Sequence, residues 1–347
     1  MKKTNPTEGD LKNNYRRRRL AAAVSALLLA AAAAVFVPAA EAEASAQKLS
    51  PLTVSVLKIG KADAIILTEG NHTMVIDAGE EDDGGEVTEF LLKQGITSVE
   101  TLIITHFDKD HLGGADTLVK YIGAERVLLP DYEGSGTQYQ EFLQALKEKD
   151  IVPERLDEPC SFSLGSAGVY VEPPSSYEIK DPGEEYDNDF SLITTVTHGD
   201  MRFVFAGDIE EQRIREWLEG ESAVSCDFLK VPHHGVYDDA LAELFEKLSP
   251  STAVICSSAK NPADPRTLEL LKNGGADVRE TKDGRIAVIS DGLSLDVKQK
   301  TKNRKENEIR GYENEEYEEK NSCSADCSGT SWQHFRGTGR DAGTAGA

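Results

Sequence analysis

The sequence predicts a layered α/β fold, in which strands and helices alternate along one large domain. Short runs of β-branched and aliphatic residues recur between amphipathic stretches with helical spacing. The chain has 347 residues, 39% of them hydrophobic, which suffices for one large core with additional segments at both ends. The sequence shows no internal repeat at the periods typical of solenoids. Many strands with interspersed helices therefore favour a layered α/β domain.

The individual elements follow from the spacing of apolar residues and from the turns between them. The predicted strands are 53–58, 64–68, 73–76, 101–105, 127–129, 191–197, 202–206, 227–231 and 253–256. The predicted helices are 86–94, 114–122, 139–149, 210–218, 240–248 and 265–272. A hairpin with an Asp291-Gly292 turn closes the domain.

Residues 1–46 are predicted to be a signal peptide or a membrane anchor. Four arginines, 16–19, precede an apolar run of about 20 residues, and small residues follow it. Cleavage after Ala42, Ala44 or Ala46 fits the small-x-small rule, and the paired arginines suit twin-arginine export. An uncleaved anchor remains the alternative, because the run is long enough to span a bilayer. The expected location is secreted or extracytoplasmic, either free or anchored.

Residues 47–300 form the predicted catalytic domain, and residues 301–347 form a predicted disordered tail. The tail is first rich in Lys, Glu and Asn and then in Gly, Ser and Thr. Residues 49–301 carry 23 basic and 48 acidic side chains, a net charge of -25. Such a field repels polyanions, so a nucleic-acid substrate needs a local patch or bound cations. The five cysteines, an odd number, do not form a disulfide framework.

Side chains of the types that bind metals follow four of the predicted strands. Asp77 follows the third strand and His106 follows the fourth, whereas Asp208 and the pair His233 and His234 follow two later strands. Open α/β sheets place ligands beyond strand ends, so these residues can converge on one site.

The segment 105–114 is the densest of these clusters. His106, Asp108, Asp110 and His111 are four metal-type ligands within six residues. In an extended backbone His106 and Asp108 point the same way, and the other two lie on the following turn. One loop can therefore supply two adjacent ions; the alternative is a solvated charged loop.

This segment resembles the His-x-His-x-Asp-His signature of the metallo-β-lactamase superfamily. Asp108 stands in place of the second histidine, as in ComEC-like hydrolase domains. Segments 58–64, 76–79, 188–192, 206–208 and 230–235 continue the likeness in the family's order, which covers residues 52–297. The resemblance implies a four-layered αββα sandwich that binds two divalent metal ions, zinc or manganese.

The resemblance also implies roles for individual residues. His106 and Asp108 would hold one metal, Asp110 and His111 the second, and Asp208 would bridge both. The catalytic set would be Asp110 and Asp208 with His234.

Three further assignments remain open in the sequence. His233 or His234 would complete a metal shell, while its neighbour would orient it or contact substrate. Asp77 would support the ligands by hydrogen bonding, a turn aspartate being the alternative. Asn188 stands where many members have a metal-binding histidine, so the first site would be weak or completed by water.

The expected function is that of an exported phosphodiesterase or DNA-degrading nuclease in which two metals activate a water as hydroxide. The alternatives are a hydrolase of a small phosphoester or carboxylic ester, and a catalytically silent binding module. The substrate partner would be nucleic acid or a small phosphoester. Membrane contact is expected only through an uncleaved N-terminal segment, and no protein partner is evident.

Three residues near the site are predicted to lie outside it. ComEC-like domains usually carry a late His-Pro, where this chain has Asn261-Pro262 and Asp264-Pro265. Asp264 could substitute as a polar group, but a helix start is the favoured interpretation. His198 and His72 are predicted to be surface histidines in hairpin turns.

Overall fold

The computed structural model describes residues 49–178 and 186–300. The predicted signal or anchor at 1–46 and the predicted tail at 301–347 lie outside the described residues. Within the described ranges, no helix combines the length and apolar character needed to cross a bilayer.

The first sheet has eight strands in the order β15-β14-β1-β2-β3-β4-β5-β6. Strands β3 to β6 are parallel, and the other neighbours are antiparallel. Its strands are β1 Leu52–Val56, β2 Ala64–Glu69, β3 His72–Ala78, β4 Val99–Ile103, β5 Ala124–Pro130, β6 Glu154–Leu156, β14 Ile286–Ser290 and β15 Leu295–Gln299.

The second sheet has seven strands in the order β13-β12-β11-β10-β9-β8-β7. Here β10 to β13 are parallel and the rest antiparallel, so each sheet has one parallel half. Its strands are β7 Cys160–Leu164, β8 Ala167–Glu172, β9 Ile193–His198, β10 Met201–Phe205, β11 Phe228–Lys230, β12 Thr252–Ile255 and β13 Asp277–Glu280.

The described residues form seven α-helices; six of them pack on the outer faces of the sheets, and the short α2 carries Asp110 and His111. They are α1 Gly84–Lys93, α2 Lys109–Leu112, α3 Ala115–Tyr121, α4 Thr137–Glu148, α5 Glu211–Glu219, α6 Leu241–Leu248 and α7 Pro265–Asn273. Leu91, Leu118 and Phe142 bring α1, α3 and α4 against the first sheet. Trp217 and Leu244 belong to the equivalent cluster of α5, α6 and the second sheet.

A third hydrophobic cluster lies between the two sheets. It joins Met74 and Ile76 of β3 to Phe203, Phe205 and Phe228 of β10 and β11. Face-to-face sheets with helices outside give four layers, which confirms the predicted αββα sandwich. The strands predicted from buried aliphatic runs are all present, with shifted ends.

Strands β6, β7, β8 and β13 were not predicted. β7 reads CSFSL and alternates half-exposed and exposed residues before its buried leucine, whereas β13 reads DVRE and has no fully buried residue. β6 has only three residues. β6, β7 and β13 are edge strands, and β8 is the second strand from its edge. All four owe their conformation to pairing with a neighbour and lack the continuous apolar run of a central strand.

Candidate metal centre

The strand ends of the two parallel halves meet around one buried cluster. Among the described residues, two groups could hold a metal ion, and within each group one ligand atom per residue lies within 4.8 Å of the others. The first group is His106, His111 and Asp208, and the second is Asp63, His111 and His234. His111 belongs to both, so the groups are adjacent.

Asp77 orients His111 from behind. Its Oδ2 lies 2.8 Å from His111 Nδ1, and the carboxylate also accepts hydrogen bonds from Thr105 N at 2.8 Å and Thr105 Oγ1 at 2.7 Å. Burial opposes the charged form of His111, but the charges of Asp208 and Asp77 outweigh it and hold the pKa of His111 well above its usual range; its Nε2 lies 3.2 Å from Asp208 Oδ2. A bound metal would replace the proton on Nε2, while Asp77 keeps the proton on Nδ1. Asp77 lies inside β3, one residue before its end, with a left-handed φ of 57°. Its predicted supporting geometry is therefore present.

His106 presents an unpaired nitrogen to the same cluster. Its Nδ1 lies 3.0 Å from Thr105 Oγ1 and 3.3 Å from Ser191 Oγ, while its Nε2 is buried without a hydrogen-bond partner. Burial, with the charge of His111, holds the pKa of His106 well below its usual range. A neutral imidazole with a free Nε2 is the form that binds metals.

Asp208 and Asp110 supply carboxylate oxygens. Asp208 Oδ2 lies 2.9 Å from His234 Nε2, and Asp110 Oδ2 lies 3.3 Å from the same atom. Burial by itself would raise the pKa of Asp208, but the charges of His111 and His234 outweigh it and hold this pKa well below its usual range. Gly207 turns the chain before Asp208 at a φ of 56°, where a Cβ would lie 2.8 Å from the Cβ of Ser191.

The donors of this cluster fit divalent cations. They are imidazole nitrogens and carboxylate oxygens, which bind zinc and manganese, and the Nε2 of His106 is buried without a hydrogen-bond partner. Buried polar atoms are normally paired, so the free Nε2 of His106 indicates a ligand position.

The turn Pro232–Gly235 sends two neighbouring histidines in different directions. His233, His234 and Gly235 have φ values of 45°, 51° and 75°. The side chain of His234 is 5% exposed and faces the cluster, whereas that of His233 is 28% exposed and its Nδ1 lies 3.0 Å from Glu210 Oε1. The structure therefore brings His234, and not His233, to the candidate ligands.

Asn188 and Asp108 stand at the rim. Asn188 Nδ2 donates to Glu210 Oε1 at 2.9 Å, so Asn188 shares an acceptor with His233. Asp108 Oδ2 lies 3.8 Å from His106 Nε2. Burial, with the charge of Asp110, raises the pKa of Asp108 to about 6. Neither Asp108 nor Asp110 belongs to the two groups found among the described residues, which divide the ligands differently from the prediction.

Two residues of the centre, Asp63 and Lys230, were not predicted. Lys230 is buried in β11, and its Nζ lies 2.5 Å from Asp63 Oδ2 and 3.3 Å from Asp208 Oδ1. Burial opposes the charge of Lys230, but Asp63 and Asp208 outweigh it and raise the pKa of the ammonium above its usual range. The signal for Lys230 was a lysine inside a predicted buried strand; for Asp63 it was a carboxylate between two alanines.

Of the three residues that were predicted to lie outside the site, two match the prediction and one does not. The surface prediction for His198 was wrong: it is buried at the end of β9, where its ring nitrogens lie 2.9 Å from Ser290 Oγ and 3.1 Å from the carbonyl oxygen of Ser50. His72 is exposed, as predicted, and contacts Glu100. Asp264 caps α7 by accepting a hydrogen bond from Arg266 N at 2.8 Å, which confirms the helix-start interpretation.

Comparison with known proteins gives one family. A family model described as the metallo-beta-lactamase superfamily matches residues 58–259. ComE operon protein 3 of Bacillus subtilis is 30% identical over 172 residues, 50% of this chain and 22% of that protein. Recombination protein 2 of Haemophilus influenzae is 25% identical over 214 residues, 60% of this chain and 24% of that protein. The matched segments thus cover less than a quarter of either relative.

Among solved structures, the metallo-beta-lactamase fold protein YhfI from Bacillus subtilis is similar at a TM-score of 0.46 and 12% sequence identity. The similarity covers 70% of this chain and 100% of that one.

Proposed function

The chain belongs to the metallo-beta-lactamase superfamily, a family of metal-dependent hydrolases, and on that premise we propose that it is a phosphodiesterase that degrades nucleic acid. The observation that carries the proposal is a buried cluster of four side chains that follow three strand ends: His106 and His111 after β4, Asp208 after β10 and His234 after β11. A catalytic metal site requires ligands that are held by supporting residues, as Asp77 holds His111, and a side that is accessible to substrate.

The names of the relatives support a phosphodiester as the bond that is cleaved. One of the two similar curated proteins is named for recombination, a process that acts on DNA. Since this chain matches less than a quarter of that protein, the activity of the whole relative is not transferred. The proposal concerns only the hydrolytic step.

The proposed complement is two ions, zinc or manganese, as the family resemblance implies, and the imidazole and carboxylate donors of the cluster support metal binding. When bound, divalent ions lower the pKa of a water molecule and stabilise negative charge on a phosphoryl oxygen. His106, His111 and Asp208 would hold an ion, the two histidines through their Nε2 atoms and Asp208 through a carboxylate oxygen. Asp110 Oδ2, at the open side, accepts a hydrogen bond from the attacking water and orients it. His234 holds both carboxylates in place through its Nε2.

A small phosphoester is the second candidate substrate. The charge of -25 on residues 49–301 favours it, because a long polyanion meets more repulsion than a small one. The predicted export of the chain does not decide between the two substrates, because an extracytoplasmic enzyme meets both DNA and small esters. The basic and apolar residues of 1–46 support export.

The test combines metal analysis with a hydrolysis assay on the full chain. We expect two equivalents of metal after reconstitution with Mn²⁺ or Zn²⁺, cleavage of bis-p-nitrophenyl phosphate, and degradation of single-stranded DNA. Asp110→Ala should lower kcat by about 10²-fold or more, because it removes the group that orients the water. Glu89→Ala, an exposed change on α1, is the matched control and should keep full activity.

A protein that binds two ions but cleaves neither bis-p-nitrophenyl phosphate nor a carboxylic ester such as p-nitrophenyl acetate would instead be a silent binding module with the same fold. Cleavage of bis-p-nitrophenyl phosphate without degradation of DNA would favour the small phosphoester.

A further inference from the structure

A lysine stands at the opening of the candidate metal centre. Lys61 lies in the loop between β1 and β2; its side chain is 36% exposed, and its Nζ lies 2.7 Å from Asp110 Oδ2. Gly60, with a φ of 81°, gives the loop its sharp turn. The backbone N–H of Asp63 donates to the carbonyl oxygen of Asp110 at 3.0 Å, so the loop is tied to the segment that carries the candidate ligands.

The position of Lys61 differs from that of the second lysine of the centre. Lys230 is buried, and its ammonium is taken up by Asp63, Asp208 and the carbonyl oxygen of Gly207. Lys61 instead carries its charge at the solvent side. An ammonium has three N–H donors, and the contact with Asp110 uses one of them, so a bound anion can share this group with the carboxylate.

The surroundings of Lys61 make its charge significant. Asp108, Asp110 and Asp208 all act on Lys61 electrostatically. The domain as a whole carries -25 between residues 49 and 301 and repels an anionic substrate at long range. A fixed positive charge beside Asp110 acts where the reacting group must bind, because short-range attraction at a partly buried site is weakly screened.

We propose that Lys61 binds an anionic oxygen of the substrate and thereby makes the site selective for phosphoesters over neutral carboxylic esters. The inference rests on the proposed function, since it assigns the substrate class of the same site. Lys61 contacts the substrate directly in this account, and its role does not depend on holding the metal ligands.

The experiment compares an anionic with a neutral substrate in metal-loaded full-length protein. Lys61→Gln should lower kcat/KM for bis-p-nitrophenyl phosphate by about 10- to 100-fold, the effect of one charge-assisted hydrogen bond. The kcat/KM for p-nitrophenyl acetate should change by less than about threefold, because that ester carries no charge to bind. Lys61→Arg should recover most of the phosphodiester activity.

The matched control is Lys58→Gln, three positions earlier. Lys58 is exposed and donates to the carbonyl oxygen of Lys282, away from the centre, so this variant loses the same charge without touching the opening. Its kinetics with both substrates should equal those of the wild type. Metal content, measured by mass spectrometry, should be the same in all variants.

Equal losses with both esters, or a loss of bound metal in Lys61→Gln, would overturn the inference, since Lys61 would then act through Asp110. If the wild type cleaves neither ester, the proposed function fails. The inference about Lys61 is then tested by measuring how tightly the protein binds inorganic phosphate. Calorimetry with inorganic phosphate should then show about tenfold weaker binding to Lys61→Gln than to the wild type. Equal binding, or no binding to the wild type, overturns the inference as well.

Discussion

Asp77 determines which nitrogen of His111 is available to a metal. The carboxylate is fully buried, and it is held by the N–H and hydroxyl of Thr105 while it contacts His111 Nδ1. Burial raises the pKa of Asp77, although the charge of His111 opposes the shift. A carboxylate so placed fixes both the tautomer and the ring orientation of its histidine.

Asp77→Ala should weaken metal binding by about 10- to 100-fold, because His111 loses the group that orients it. Titration calorimetry with Zn²⁺ or Mn²⁺ measures the effect, and circular dichroism checks that the fold persists. Glu89→Ala, whose exposed carboxylate pairs with Lys93 on α1, serves as the control. Wild-type metal affinity in Asp77→Ala would contradict the supporting role.

At this scale the sequence predicts residue types better than their partners. The candidate ligands His106 and Asp208 could be predicted because each follows a buried strand, and His111 because it lies in the same cluster of metal-type residues as His106. The choice between His233 and His234 could not, since it depends on three consecutive left-handed residues. Lys230 was missed because lysine is almost never buried without a partner, and its partner Asp63 lies far away in the chain.

Among the elements, the turn Pro232–Gly235 is the one that aims His234. Left-handed conformations cost energy for residues other than glycine, so the surrounding structure must hold the two histidines in place. The N–H of Val236 donates to the carbonyl oxygen of His233 at 2.8 Å, and that of Asp264 donates to Gly235 at 3.0 Å. The turn is therefore anchored both within itself and to the start of α7.

Gly235→Ala should destabilise the protein by about 1–3 kcal/mol and weaken metal binding. The residue has a φ of 75°, and an added Cβ would lie 2.9 Å from the Cβ of Ala263. Urea unfolding measures the free energy, and calorimetry measures the metal affinity. Gly85→Ala on α1, where a Cβ meets nothing within 4 Å, should be neutral or slightly stabilising. Unchanged stability and metal binding in Gly235→Ala would show that the turn tolerates another geometry.

Elements with strong local patterns could be predicted, and those without could not. The central strands and the long helices carry continuous or helically spaced apolar residues, so their existence follows from the sequence. β7 and β8 form a hairpin at the edge of the second sheet, with alternating exposed residues. Their pairing depends on β9, which no local pattern reveals.

Across the whole molecule, negative charge should govern how a long substrate is reached. Screening shortens the Debye length from about 30 Å at 0.01 M salt to about 8 Å at 0.15 M. Because the domain and DNA repel each other, kcat/KM for single-stranded DNA should rise by about 2- to 10-fold over this range at constant Mn²⁺. The value for bis-p-nitrophenyl phosphate should change far less, since it carries a single charge.

The control replaces the added salt with an uncharged solute, such as sucrose at matched osmolality. Sucrose leaves the ionic strength unchanged, so both rates should stay the same. A rate on DNA that falls with salt would indicate a local basic surface that holds the strand, as in ordinary DNA-binding proteins.

The arrangement of the sheets was the part of the fold that composition alone left open. Periodicity predicted a layered α/β domain, and only the likeness of the motifs implied two facing sheets. The reason is physical: β3 pairs with β4 and β10 with β11 through contacts distant in sequence, and each sheet gains its buried face from the other.

The buried ammonium of Lys230 has a consequence for how the protein matures. Four carboxylates, those of Asp63, Asp77, Asp110 and Asp208, crowd a region almost closed to water, and Lys230 supplies a positive charge that no chelator can remove. The polypeptide thus carries part of its own counter-charge. We therefore expect the domain to fold before it binds metal.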